Sequence, residues 1–282
     1  MKKGFLLSLI TILFISLLSA CSSMTGADEK QVVKIGVTGS DGQYWDLIKE
    51  KAEKEGIEIK LIEFSDYTLP NQALAQGEID LNSFQHIAFL KQFKKEHKLD
   101  LVPIGTTVIA PMGIYSEKYK DVADIPKGAK IAIPDDPSNQ ARALKLLEAA
   151  GFIKLKDGFG LFDDPSGIEE NKHNLEIIPM TAQQTPRVLE DVAASVINNG
   201  VAGQAGFVPN EDAIFIEDPN DKRVQPYINI FAARTEDKDN PVYKKIVEIY
   251  HDPEVEEAVK KDTNGGSIVV NTPINELQDI IK

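Results

Sequence analysis

From residue 32 onward, short apolar runs alternate with segments of helical spacing, and glycines punctuate the joints. "VVKIGVTG" at 32–39 reads as a strand stopped by glycine, and "YWDLIKEKAEKEG" at 44–56 as a helix closed by Gly56. "IEIKLIEF" at 57–64 gives a second strand, and "NQALAQGEIDLNSF" at 71–84 holds a helix, a glycine stop and a third strand. This alternation confines the chain to an α/β fold with a mostly parallel sheet covered on both faces. The pattern restarts after "TTVIAPMGIYS" at 106–116: "AKIAIP" is a strand, "SNQARALKLLEAAG" a helix, "LEIIPM" a strand and "TPRVLEDV" a helix leading to "ASVINN". Two lobes follow. The strand "YINIFAAR" at 227–234 and the helices "PVYKKIVEIYH" and "PEVEEAVKKDT" are too few for a third domain, so they are assigned back to the first lobe. Lobe 1 is then 32–110 and 230–282, lobe 2 is 111–229, and two crossovers join them near residues 110 and 230. The polar, turn-rich stretch 158–174 is expected to be a surface excursion.

The amino-terminal stretch has a different character. Lys2 and Lys3 precede an apolar run from Phe5 to Leu18, which is too short for a membrane span of about 20 apolar residues and fits an export signal over residues 1–20. "LSAC" at 18–21 resembles the lipobox of bacterial lipoproteins, which implies cleavage before Cys21 and a lipid on it. Cys21 is the only cysteine, so it has no internal disulfide partner, and residues 21–31 read as a polar tether. Such an anchor would hold a soluble protein at a membrane surface without spanning it. Removing residues 1–20 from 282 leaves 262, enough for two domains, and the loss of Lys2 and Lys3 takes the formal charge from −13 to −15. That charge argues against a nucleic-acid partner, which needs a basic face.

Chemistry that would mark an enzyme is not legible. His86, His97, His173 and His251 are dispersed without metal-ligand spacing, and no nucleophile elbow, phosphate loop or dinucleotide fingerprint is present. No metal, cofactor or catalytic residue is expected. The acidic pair Asp135–Asp136 precedes Pro137, which reads as a helix cap with proline at the first helical position rather than as an acid and a base.

A binding constellation is legible. With Asp136 as the cap, Asn139 and Arg142 lie one turn apart near the helix start, while Ala143, Leu146, Leu147 and Ala150 form the apolar stripe. Helix starts favour anions, and a guanidinium grips a carboxylate through two parallel hydrogen bonds. A surface arginine bonded to Asp135 or Asp136 fits this stretch equally well. "FSDYTLPN" at 64–71 and "NSFQHIAF" at 82–89 fall at strand ends, on the carboxyl edge where open α/β sheets bind ligands. Phe64, Tyr67, Phe84, His86 and Phe89 would form aromatic walls there, although each taken singly suits a core as well.

"FSDYTLPNQAL", "GEIDLNSFQHIAFL", "IAIPDDPSNQARALKLL", "SVINN" and "YINIFAAR", in that order behind a lipobox, resemble the NlpA/MetQ family of lipoproteins across nearly the whole mature chain. The resemblance implies a two-lobed, periplasmic-binding-protein-like (type II) clamp that closes on methionine and presents it to the permease and ATPase subunits of an ABC importer. It implies a monomer on the extracytoplasmic face of the cell membrane, anchored through Cys21. It further implies that Arg142 holds the ligand carboxylate, that Asn198 and Asn229 hydrogen-bond its backbone part, and that Tyr67, Phe84 and His86 surround its side chain. Three positions depart from the family's usual pattern: "DDP" replaces "NDP", Phe89 stands where tyrosine is usual, and "INNGVAG" replaces "INxTYA". Another small apolar amino acid or a methionine-containing dipeptide is therefore an alternative ligand, and a surface adhesin or antigen that kept the clamp is the alternative class.

Overall fold

The alternation expected from the sequence builds two sheets in the computed structural model, which describes residues 30–39 and 42–281. The export signal and Cys21 lie outside those residues, as does most of the tether. The first run comprises β1 (Gln31–Val37), α1 (Gln43–Lys54), β2 (Ile57–Glu63), α2 (Leu69–Gln76), β3 (Leu81–His86), α3 (Ile87–His97) and β4 (Leu101–Ile109). β5 (Gly113–Tyr115), β6 (Lys130–Pro134) and α4 (Pro137–Ala149) begin the second, followed by the paired β7 (Lys154–Leu155) and β8 (Ile168–Glu170). β9 (Glu176–Met180), β10 (Ala194–Ile197), α5 (Asn199–Gln204), α6 (Pro209–Asp212) and β11 (Phe215–Ile216) complete it. The chain then returns through β12 (Ile228–Arg234), α7 (Pro241–Tyr250), α8 (Pro253–Asp262), β13 (Ile268–Val269) and α9 (Gln278–Ile281).

The first sheet has the order β13-β4-β12-β3-β1-β2, and the second the order β11-β5-β10-β6-β9. β1 runs parallel to β2 and β3, and β6 runs parallel to β9 and β10, as strand–helix–strand units require. β12 enters the first sheet from the other lobe and pairs antiparallel with both β3 and β4, which makes that sheet mixed. Within it Asn229 pairs with His86 and Ile228 with Ile109. The second crossover therefore ends before residue 228, and Asn229 belongs to the first sheet rather than to the end of lobe 2.

Each sheet has its own core. Trp45, Ile48, Phe231 and Ile246 are fully buried between the first sheet and α1 and α7, and Ile131, Ile133, Ala143, Leu144 and Leu147 pack α4 on the second. Each large side chain so buried contributes about 1.5–3 kcal/mol against the entropy of ordering the chain. Two local expectations change. Residues Ala182–Val188 form 3-10 turns rather than an α-helix, because Pro186 lacks the N–H that a regular helix would use. The stretch 158–174 carries β8, whose Ile168 pairs with Leu155 of β7 and anchors the excursion. Among the described residues no helix is long and apolar enough to cross a membrane.

Candidate functional site

A cavity of about 220 Å³ lies between the lobes. Tyr67, Phe84, His86, Phe89 and Asn229 line it from the first lobe, and Asn139, Arg142, Asn198 and Gly200 from the second. The local sequence accounts for the second-lobe side. Asp136 caps α4 by accepting a hydrogen bond from Asn139 N at 3.0 Å, Pro137 takes the first helical position, and Gly151 ends the helical course at φ 83°. Asn139 and Arg142 lie in the opening turns of α4, ahead of the Ala143, Leu146 and Leu147 that pack on the sheet, and line the cleft.

Arg142 is 3 % exposed, so it is not a surface residue, and it does not bond to the acids of its own loop. Its Nε donates to Glu217 Oε1 at 2.8 Å, and its Nη2 to Glu217 Oε2 and, at 3.0 Å, to Ala110 O. Glu217 Oε2 also accepts from Met112 N at 2.8 Å. The guanidinium carbon lies 4.4 Å from the centre of the Tyr227 ring. Ala110 and Met112 belong to the first crossover, and Glu217 and Tyr227 to the second, so this one ion pair ties both connections together. The two-pronged grip expected for a ligand is therefore made on Glu217. Among the described residues Nη1 is the guanidinium nitrogen without a protein partner. Burial opposes the positive charge, but the charge and hydrogen bonds of Glu217 outweigh it and raise the pKa of Arg142 further.

The carboxamides divide into committed and available groups. Asn139 Nδ2 donates to both oxygens of Asp136, at 3.0 and 2.9 Å, and Asn139 Oδ1 meets His86 Nε2 at 3.1 Å and Asn198 Nδ2 at 2.8 Å. Burial raises the pKa of Asp136, and its hydrogen bonds to Asn139 and Ser138 resist that rise. Asn198 Oδ1 is buried with no hydrogen-bond partner. Asn229 Nδ2 donates to Val108 O at 3.2 Å, and among the described residues its Oδ1 has none. The second lobe thus offers the cavity a guanidinium N–H pair and one carboxamide oxygen, and Asn229 of the first lobe offers another. That set complements the carboxylate and ammonium of a free amino acid.

The first-lobe side also carries aromatic rings. The Tyr67, Phe84 and Phe89 rings form a triangle with centres 5.9, 6.0 and 5.9 Å apart. His86 caps α3 by accepting from Phe89 N at 3.0 Å through Nδ1, which places its proton on Nε2. Burial, then the charge of Arg142, pushes the His86 pKa down to about 3, so the ring is neutral at physiological pH. Asn71 in the first turn of α2 joins Asn82 and Gln85 of β3 in a buried amide network that holds α2 against β3.

Phe64 does not join the site. Its backbone extends the β1–β2 pairing through a 2.8 Å bond to Val37 O, and its half-buried ring packs against the first-lobe cluster that contains Leu74 and Ile79. Sequence reasoning missed Glu217, Tyr227 and Asn199, whose Nδ2 donates to Pro111 O and Gly266 O. No local signal distinguishes Glu217 from the chain's other carboxylates, since its partner lies 75 residues away.

A family model described as NlpA lipoprotein matches residues 33–270. The chain belongs to the NlpA lipoprotein family. Among proteins similar to this NlpA family member, the D-methionine-binding lipoprotein MetQ of Salmonella typhimurium is 41 % identical over 249 residues, covering 86 % of this chain and 90 % of that protein. The crystal structure of protein PG110 from Staphylococcus aureus is 51 % identical, with a TM-score of 0.86 over 88 % of this chain and 98 % of that one. A nutrient binding protein from Burkholderia cenocepacia, solved bound to methionine, is 44 % identical, with a TM-score of 0.80 over 84 % and 99 % of the two chains. The two-lobed α/β fold is thus that of the NlpA lipoproteins. Within it, Gly200 leaves open space at the cavity wall, since a Cβ built there meets nothing within 4 Å.

Proposed function

We propose that this chain is a lipid-anchored, extracytoplasmic substrate-binding protein that captures methionine and delivers it to the permease and ATPase subunits of an ABC importer. One observation carries the reading: one interlobe cavity is lined by Arg142, Asn198 and Asn229, whose Nη1, Oδ1 and Oδ1 have no partner among the described residues, and by the Tyr67–Phe84–Phe89 triangle. In this reading the guanidinium takes the ligand carboxylate, the carboxamide oxygens take its ammonium, and the three rings receive the thioether, whose polarizable sulfur favours aromatic edges. Ligand contacts drawn from both lobes favour the closed clamp over the open one. The relatives named for methionine binding, and the methionine in the Burkholderia cenocepacia structure, support the choice of ligand. Lipid on Cys21 places the clamp at the membrane surface as a monomer, and no catalytic step belongs to this reading.

Native mass spectrometry of the protein purified without added ligand tests the cargo, and titration with D- and L-methionine tests its handedness. A retained mass equal to methionine is the expected result. Heat-free titrations with both enantiomers and with the other apolar amino acids would refute the reading. A larger mass containing methionine would move it to a peptide ligand, for which the open space at Gly200 leaves room.

A further inference from the structure

Among the described residues, three side-chain hydrogen bonds join the lobes beyond the crossovers without help from a ligand. His86 Nε2 on β3 meets Asn139 Oδ1 on α4 at 3.1 Å, Asn199 Nδ2 on α5 donates to Gly266 O at 3.0 Å, and Gln204 Nε2 on α5 donates to Thr38 O at 2.6 Å. The Gln204 contact is exposed, where water competes for both groups. The His86 contact is buried, with His86 at 5 % and Asn139 at 2 % exposure, so its partners have no such alternative while the cleft is closed.

Counting donors and acceptors shows how fully these two residues are used. A carboxamide offers two N–H donors and two lone pairs on oxygen. Asn139 spends both donors on Asp136 and both lone pairs on His86 and Asn198. His86 spends Nδ1 on Phe89 N and Nε2 on Asn139. Neither side chain has polar capacity left for a bound molecule, although both line the cavity. Each half is also fixed from behind, Asn139 by the Asp136 cap and His86 by the first turn of α3.

We propose that His86 and Asn139 form an interlobe latch that stabilises the closed cleft by protein–protein contact, and that they act on affinity as positioning residues rather than as ligand contacts. A latch of this kind raises the fraction of ligand-free protein already closed. Apparent affinity scales with that fraction, so the latch tightens binding of any ligand by one common factor. One neutral hydrogen bond in this setting corresponds to a factor of about three to ten. The closure itself rests on geometry alone, whereas its effect on methionine affinity rests on the function proposed above.

The test uses two substitutions that separate the roles of the two ring nitrogens. His86→Asn places an amide oxygen near Nδ1, keeping the cap on Phe89 N but falling short of Asn139. His86→Gln places an amide nitrogen near Nε2, keeping the reach to Asn139 but losing the cap. Hydrogen exchange of the full chain, freed of ligand, is followed in residues 197–206 and 263–267, which face each other through the Asn199–Gly266 bond. His86→Asn is expected to lower the closing equilibrium about three- to tenfold, read as exchange faster by up to that factor where the closed form dominates and as methionine binding weaker by up to that factor where the open form does. His86→Gln, which keeps the reach to Asn139, is expected to lose less than His86→Asn in both readouts. Exchange and affinity both unchanged in His86→Asn, or equal behaviour of the two variants, overturns the latch. If His86→Asn does not fold, Asn139→Ala, which keeps the backbone N–H that Asp136 accepts, carries the same expectation from the other lobe. Because exchange is read without ligand, a latch that responds in a protein that ignores methionine leaves the latch standing and sinks only the choice of ligand.

Discussion

Removing Glu217 strands a guanidinium that is 3 % exposed and was held by two of its hydrogen bonds. Breaking a buried pair from one side costs about 3–5 kcal/mol, because the remaining charge is uncompensated. Glu217→Leu also takes the acceptor from Met112 N, adding about 1–3 kcal/mol for an orphaned buried donor. Replacing both partners with apolar side chains removes the first cost but not the second, so Arg142→Met/Glu217→Leu should recover to within about 1–3 kcal/mol of wild type. Urea unfolding of ligand-free protein measures this, with Trp45 as the probe: it is the chain's only tryptophan, fully buried against Phe231. Binding should not recover with stability. The double variant lacks the Nη1 donor proposed for the ligand carboxylate, a charge-assisted contact of about 1.5–3 kcal/mol, and calorimetry should find affinity about ten- to a hundredfold weaker. Equal stability of the single and double variants would refute the buried-pair account. Native affinity in the double variant would refute the role of Arg142 in gripping the ligand.

Further outcomes concern pH, backbone entropy and linkage. His86 is held neutral down to about pH 3, whereas in the unfolded chain it takes a proton below about 6.5. Unfolding therefore binds a proton between those values, and stability falls as pH falls through that window by up to about 1.4 kcal/mol per unit. Denaturation from pH 7 to 4 should show a shallower slope in His86→Asn, and identical slopes would contradict the buried neutral ring. Gly203 sits in α5 with nothing within 4 Å of a built Cβ, so Gly203→Ala should add about 0.4–1 kcal/mol by restricting the unfolded chain, read as a higher urea midpoint. Methionine at 100 times its dissociation constant should add about 2.7 kcal/mol, a Tm rise on the order of 5–10 °C, and a flat thermal-shift profile would count against methionine as the ligand.

Much of the architecture was legible because short-range rules fix it. The strand–helix alternation and the Asp136–Pro137 start of α4 depend on neighbours within a few residues, and the structure carries both, whereas the chain re-enters the first sheet at Ile228, ahead of the expected boundary at 230. Turn-level detail was less secure. "TPRVLEDV" has a helical apolar spacing, yet Pro186 limits it to 3-10 turns, and Phe64 looked like a cleft residue until the β1–β2 pairing turned it into the core.

The site divides in the same way. Periodicity put Arg142 and Asn139 one turn apart near the start of α4, and strand ends gathered Tyr67, Phe84, His86 and Phe89 near one edge. What those residues do with their hydrogen bonds could not be read locally. The partner of Arg142 comes from 75 residues away and that of His86 from 53. A sequence period reports which face of an element is buried, and the sequence by itself determined that much. Which side chain arrives to meet that face depends on how two lobes, joined by two crossovers, close on each other, and only the tertiary structure decided it.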